Sequence, residues 1–180
     1  MTIASMTLKH AIIAALTAAS VILVAQLMPS TVRAQDLDKV KAAMALLQSK
    51  AEKLGPAKIE GTDTVAGKTV PAVFFGTTKI DNNFDLVDEV VKEVGGTATI
   101  FVKSGADYVR VATNVKKDDG SRAVGTILDP NGKVIVLINK NEAFFGEATI
   151  LGKPYVTGYA PMHDAAGNVI GIYYVGYPKG

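Results

Sequence analysis

The chain has 180 residues, 19 of them Lys or Arg and 17 Asp or Glu, with 48% hydrophobic residues and no cysteine. That length suits one domain with a single buried core, and the missing cysteine excludes disulfides and a lipid-modified N-terminal cysteine. Removing the first 34 residues would take away Lys9 and Arg33 and no acid, leaving 17 basic against 17 acidic residues. A chain so balanced has no basic stripe for a phosphate backbone, so nucleic acid is not an expected partner.

The N-terminus carries an address. Lys9 and His10 precede an apolar run from Ala11 to Met28, and Pro29 to Ala34 reads as a polar exit, the layout of a secretory signal. Val32 and Ala34 occupy the third and first positions before a cut, so cleavage is expected between Ala34 and Gln35, leaving a single periplasmic domain over 35–180. The alternative is an uncleaved anchor in the inner membrane, because the run approaches the roughly 18 to 20 residues that span a bilayer.

From Asp36, the residues Leu37, Val40, Met44, Leu47, Ala51 and Leu54 recur at intervals of three and four, which predicts a long helix stopped by Gly55 and Pro56. Its narrow seam can pack on the domain or pair with the same helix of a second copy, giving a dimer. Lys58 to Gly67 shows no period and is expected as a connector. Thr69 to Phe75 reads as a strand, placed at an edge by Pro71. Asn83 can cap a second helix with Phe84, Val87, Val90, Val91 and Val94 on one face, ended by Gly95 and Gly96.

The period then changes to two. Thr97 to Lys103, Tyr108 to Thr113, Phe144 to Ile150, Tyr155 to Met162 and Val169 to Val175 are predicted strands, with turns at 104–107, 151–154 and 163–168 short enough for hairpins. The link from Asn114 to Asn141 must be a crossover. Within it Val134 to Ile138 is strand by propensity and short helix by context, and periodicity leaves the choice open. Helices first and antiparallel strands afterwards give an α+β domain, one sheet face covered by helix and the other available to a ligand.

Catalysis finds little support. Beyond the signal the one histidine is His163, in a predicted turn beside Asp164, a poor basis for a triad. Asp118-Asp119-Gly120 and Asp129-Pro130-Asn131-Gly132 lack the spacing of a calcium loop and read as turns. No catalytic residue, metal or cofactor is expected.

Several segments, taken in order, resemble a known family: Gly95 to Phe101, Tyr108 to Val115, Asp119 to Thr126, Phe144 to Ala148, Lys153 to Tyr159 and Gly167 to Gly176. They are similar to the Cache superfamily of extracytoplasmic sensor domains, in its fused Cache 3 and Cache 2 form, found in chemoreceptors and sensor kinases. The resemblance implies a long N-terminal helix on a five-stranded antiparallel PAS-like sheet, and a pocket on that sheet for small molecules, often organic acids. A receptor would continue past the last strand into a membrane helix, so a membrane-bound receptor or histidine kinase is the expected partner. The alternative function is a structural module of the same fold that docks through its N-terminal helix.

Alternation along the strands selects the ligand candidates. Tyr108, Arg110 and Ala112 are expected on one face, with Val109 and Val111 on the other. A guanidinium in mid-strand needs an anion, and a bidentate grip on a small carboxylate is one solution. A protein acid or a solvated edge is the other. Tyr155, Thr157 and Tyr159 are expected to share a face as a pocket wall, or else as ordinary sheet residues. Phe101 and Phe145 are further candidates for that wall, with core packing as their alternative. Arg122, in a glycine-flanked loop, is the second candidate anchor, against a simple exposed arginine.

Overall fold

The computed structural model describes residues 28–179, with side chains from Ala34 onwards. The charged start and apolar run of the expected signal lie outside those residues, apart from Met28 at the first helix's start. Contacts divide the chain into a unit of 1–35 and a unit of 36–180, and the second carries the domain. Among the described residues no helix is long and apolar enough to cross a membrane.

Helix α1 spans Met28–Leu54, so the expected polar exit at 29–34 is itself helical, with Pro29 in the first turn where its missing N–H costs nothing. The seam read from the sequence is real. Val40, Ala43, Met44, Leu47 and Ala51 are buried, packed within their own domain. Leu54 departs from the expectation and is exposed.

The stretch expected as a connector is a strand. β1 (Ala57–Val65), β2 (Lys68–Phe75) and the short β3 (Thr78–Lys79) form a sheet in the order β1-β2-β3. β1 gave no period because all but its ends is solvent-facing. β3 reaches only Phe74 and Phe75, so Pro71 has a strand neighbour on one side alone and its absent donor breaks no ladder. Helix α2 (Asp85–Val94) follows. Asn83 does act at its start, its Oδ1 accepting the Asp85 N–H at 3.0 Å.

The second sheet holds the five strands expected. β4 (Thr97–Ser104), β5 (Asp107–Thr113), β6 (Phe144–Ile150), β7 (Lys153–His163) and β8 (Val169–Pro178) pair antiparallel in the order β5-β4-β8-β7-β6. The three short connectors are hairpins, as their turn residues require. The ambiguous apolar run is helix α3 (Lys133–Asn139), burying Val134, Ile135 and Ile138 while Val136 faces water.

The protein is therefore α+β, with a long N-terminal helix on a five-stranded antiparallel sheet. Each sheet face carries its own core. One side packs α1, α2 and the small sheet against Ile100, Val102, Val156, Ala160, Tyr173 and Val175. The other, expected to be open, is also covered: α3 and the crossover's Val115, Ala123 and Leu128 pack on Phe101, Tyr108, Tyr159, Ile172 and Tyr174.

Candidate functional site

The covered face contains a charge. Arg110, in the middle of β5, is 4% exposed, and its guanidinium carbon stands 4.8 Å from the centre of the Phe101 ring. Nη1 donates to Thr126 Oγ1 at 2.7 Å, and that hydroxyl donates in turn to the Ala123 carbonyl. Nε is buried with no acceptor. No ion pair with an Asp or Glu of the described residues meets the cation. Burial pulls the guanidinium below its ordinary pKa, and Tyr159 and Tyr174 offset part of that.

The sequence determines why Arg110 points there. Ile100 pairs with Ala112, and Phe101 with Arg110, so Val111 is an extra residue in the ladder, a β-bulge. Arg110 keeps the face expected of it. Ala112, expected beside it, is turned to the helix-side core with Val109 and Val111. The outer edge of β5 is closed by the crossover, where Arg110 N–H donates to the Thr126 carbonyl and Gly125 N–H to the Arg110 carbonyl. The site is thus framed by backbone as well as by side chains.

The other candidates divide between the two faces. Tyr159 is 1% exposed, its ring tilted against Tyr174 at 4.9 Å and Phe144 at 6.2 Å. Burial pushes its phenol up to about 12, against the opposing pull of Arg110, so it is a neutral hydrogen-bonding group. Thr157 is buried with its hydroxyl on the Gly146 carbonyl at 2.9 Å. Tyr155 is half-buried at the margin of the same core. Tyr108 shares the face and donates to Asn139 Oδ1 at 3.1 Å, tying β5 to α3. Phe101 lies under the guanidinium. Phe145 lies on the opposite side, with the helix-side core, because its neighbour Phe144 takes the covered face.

Arg122 is placed otherwise. Its two terminal nitrogens grip Asp88 of α2 at 2.8 and 2.7 Å, and Nη1 also reaches the Thr113 carbonyl at 2.8 Å. The guanidinium lies over Phe84 at 4.4 Å. This arginine fastens the crossover to α2. The sequence reading missed Tyr174 and Thr126; Tyr174 was accessible from the alternation of β8, where Ile172 and Tyr174 share a face, but Thr126 was not, since nothing in a loop reveals its hydroxyl's direction.

Two open clefts, of about 340 and 330 Å3, lie elsewhere and Arg110 lines neither. One is at the C-terminal end of α1, and the other lies among α1, β3 and α2. His163 Nε2 is engaged with Asn141 Oδ1. Asp119 Oδ1 and Asp129 Oδ1 accept turn N–H groups of Ser121 and Asn131.

The site is thus a buried arginine, with no acid partner among the described residues, on the helix-backed antiparallel sheet of an α+β domain. The model of the Cache 3/Cache 2 fusion domain matches residues 11–180, and the chain belongs to that family. No curated protein matches the sequence. Among solved structures, the sensory domain of the Campylobacter jejuni chemoreceptor Tlp3 (CcmL) is similar at 12% identity, with a TM-score of 0.40 over 82% of this chain. The match spans 61% of that domain's length.

Proposed function

We propose that this Cache domain binds a small carboxylate against Arg110 and serves as a ligand-sensing module outside the cytoplasmic membrane. The observation that carries the reading is the Arg110 environment: a cation 4% exposed, with no acid partner among the described residues and a buried Nε without an acceptor. A guanidinium in such a place is costly unless an anion joins it. A carboxylate would supply the charge and accept from Nε and a terminal nitrogen together, the geometry that arginine favours. The rings of Phe101, Tyr159 and Tyr174 offer flat apolar walls for a short hydrocarbon part. Membership of the Cache family supports the sensory role, and the layout of Lys9 to Ala34 supports export.

Because Arg110 is enclosed, a ligand reaches it only when α3 and the crossover draw back from the sheet. The Tyr108–Asn139 hydrogen bond and the exposed Lys153–Asp118 pair at 3.2 Å are contacts available to part.

A thermal-shift screen of short mono- and dicarboxylates, each beside its neutral amide, tests the reading. An acid at about 100 times its dissociation constant is expected to stabilise the fold by roughly 2.7 kcal/mol, and its amide to do nothing. Equal shifts from acid and amide, or none from any acid, contradict it.

A further inference from the structure

We propose that the cleft at the C-terminal end of α1 is a second binding site, separate from Arg110, which takes a small organic ammonium ion. It encloses about 340 Å3, within the range of small-molecule sites. Gln48 and Glu52 of α1 and Pro56 form one wall, and Pro161, Asp164 and Tyr173 form the other. Among the described residues no Lys or Arg lines it; His163 does, with its Nε2 engaged by Asn141 Oδ1. The nearby Lys50 is engaged by Glu89 and Glu93 at 2.7 and 2.6 Å, and Glu52 forms no ion pair among the described residues. Asp164 is held below the usual carboxylate range by Asn168 and the turn amides around it, and so remains ionised. The carbonyl end of a long helix adds negative potential at the same place.

Tyr173 points independently to a ligand. It is 9% exposed and lines the cleft, yet its hydroxyl hydrogen-bonds to none of the described residues. Its ring is fixed by stacking on Phe75, with centroids 6.0 Å apart and planes 13° from parallel. Burial, and then the Glu52 charge, push its phenol upward, so the oxygen is a neutral acceptor. An ammonium ion would donate to Glu52 and to this oxygen, with its carbon chain against Pro56 and Pro161. A bare divalent cation fits less well, since no three acidic or histidine side chains among the described residues converge as a shell.

Calorimetric titration of the full chain with 1,4-diaminobutane tests the site, with calcium chloride in parallel. Saturable binding is expected for the diamine. Glu52→Gln should weaken it about tenfold or more, as for a lost charged hydrogen bond. Tyr173→Phe, which keeps the stack on Phe75, should weaken it roughly twofold to tenfold, as for a neutral one. Arg110→Met should leave it unchanged. The proposal is overturned by the absence of saturation below roughly 10 mM, by unaltered affinity in Glu52→Gln, by loss in Arg110→Met, or by calcium competing on equal terms.

Discussion

Asp81 is 2% exposed, with Oδ2 accepting the Val73 N–H at 2.7 Å and Oδ1 buried without a donor. Burial raises its carboxyl from 3.8 to about 6. The folded state therefore holds this proton more tightly than the unfolded chain does. The stability it confers is fully present below about pH 4 and is lost as pH rises through about 6. The acids Asp63 and Asp164, half-buried, and Glu89 and Asp119, exposed, are shifted the other way by their partners, and matter only at lower pH. Melting temperature followed from pH 4 to pH 7 should thus fall in the parent relative to Asp81→Asn, which mimics the protonated acid. Parallel curves for the two proteins would refute the assignment. Nothing in the sequence marked Asp81, because an acid beside a short strand reads as a turn residue until its neighbours are known.

The same limit separates Arg110 from Arg122. Mid-strand position alone made Arg110 suspect, and alternation placed it on the correct face. Its missing counter-ion was not legible, since any of 17 acids could have folded against it. Arg122 shows the converse: its partner Asp88 lies 34 residues away, a distance no local pattern bridges.

Elements were legible where their periodicity was clean. The five strands of the large sheet stand between glycine-containing turns and are rich in β-branched and aromatic residues, so they were found within two or three residues at each end. β1 was missed because exposure erases the alternation by which strands are recognised. α3 was ambiguous because β-branched residues favour a strand, while the crossover gave the segment no strand neighbour and left it to bury one helical face. The bulge at Val111 was invisible for a related reason, since an extra residue changes register and not composition.

Two contacts between elements can be tested directly. Gly158 of β7 lets α1 lie close, and a methyl there would stand 2.9 Å from Val40 and 2.8 Å from Phe145. Gly158→Ala should cost about 1 to 3 kcal/mol by overpacking, measured by urea unfolding. An unchanged midpoint would mean that α1 is not seated as described. Arg122→Gln removes the bidentate clasp between crossover and α2. It should lower stability by roughly 1 kcal/mol, since Arg122 and Asp88 are partly exposed. It should also speed amide exchange across 114–132 more than in β4 or β8. Uniform acceleration would instead assign the clasp to global stability alone.

At the scale of the whole molecule, two cores share one sheet, and Arg110, which has no acid partner among the described residues, sits beside the smaller of them. Export is proposed from the N-terminal layout, and mass spectrometry of protein released from the periplasm should find Gln35 as the first residue. Intact Met1 in the membrane fraction would establish the anchored form instead. In either form the central claim is that Arg110 awaits a carboxylate. It is tested most directly by calorimetric titration of the acid selected in the thermal-shift screen into the parent, Arg110→Met and Tyr159→Phe. Arg110→Met should fold as stably as the parent or more so, because an apolar chain replaces a buried unpaired cation. It should bind the acid roughly tenfold to a hundredfold more weakly, the value of a charged hydrogen bond, while Tyr159→Phe loses less. An Arg110→Met protein that binds the acid as tightly as the parent would contradict the account.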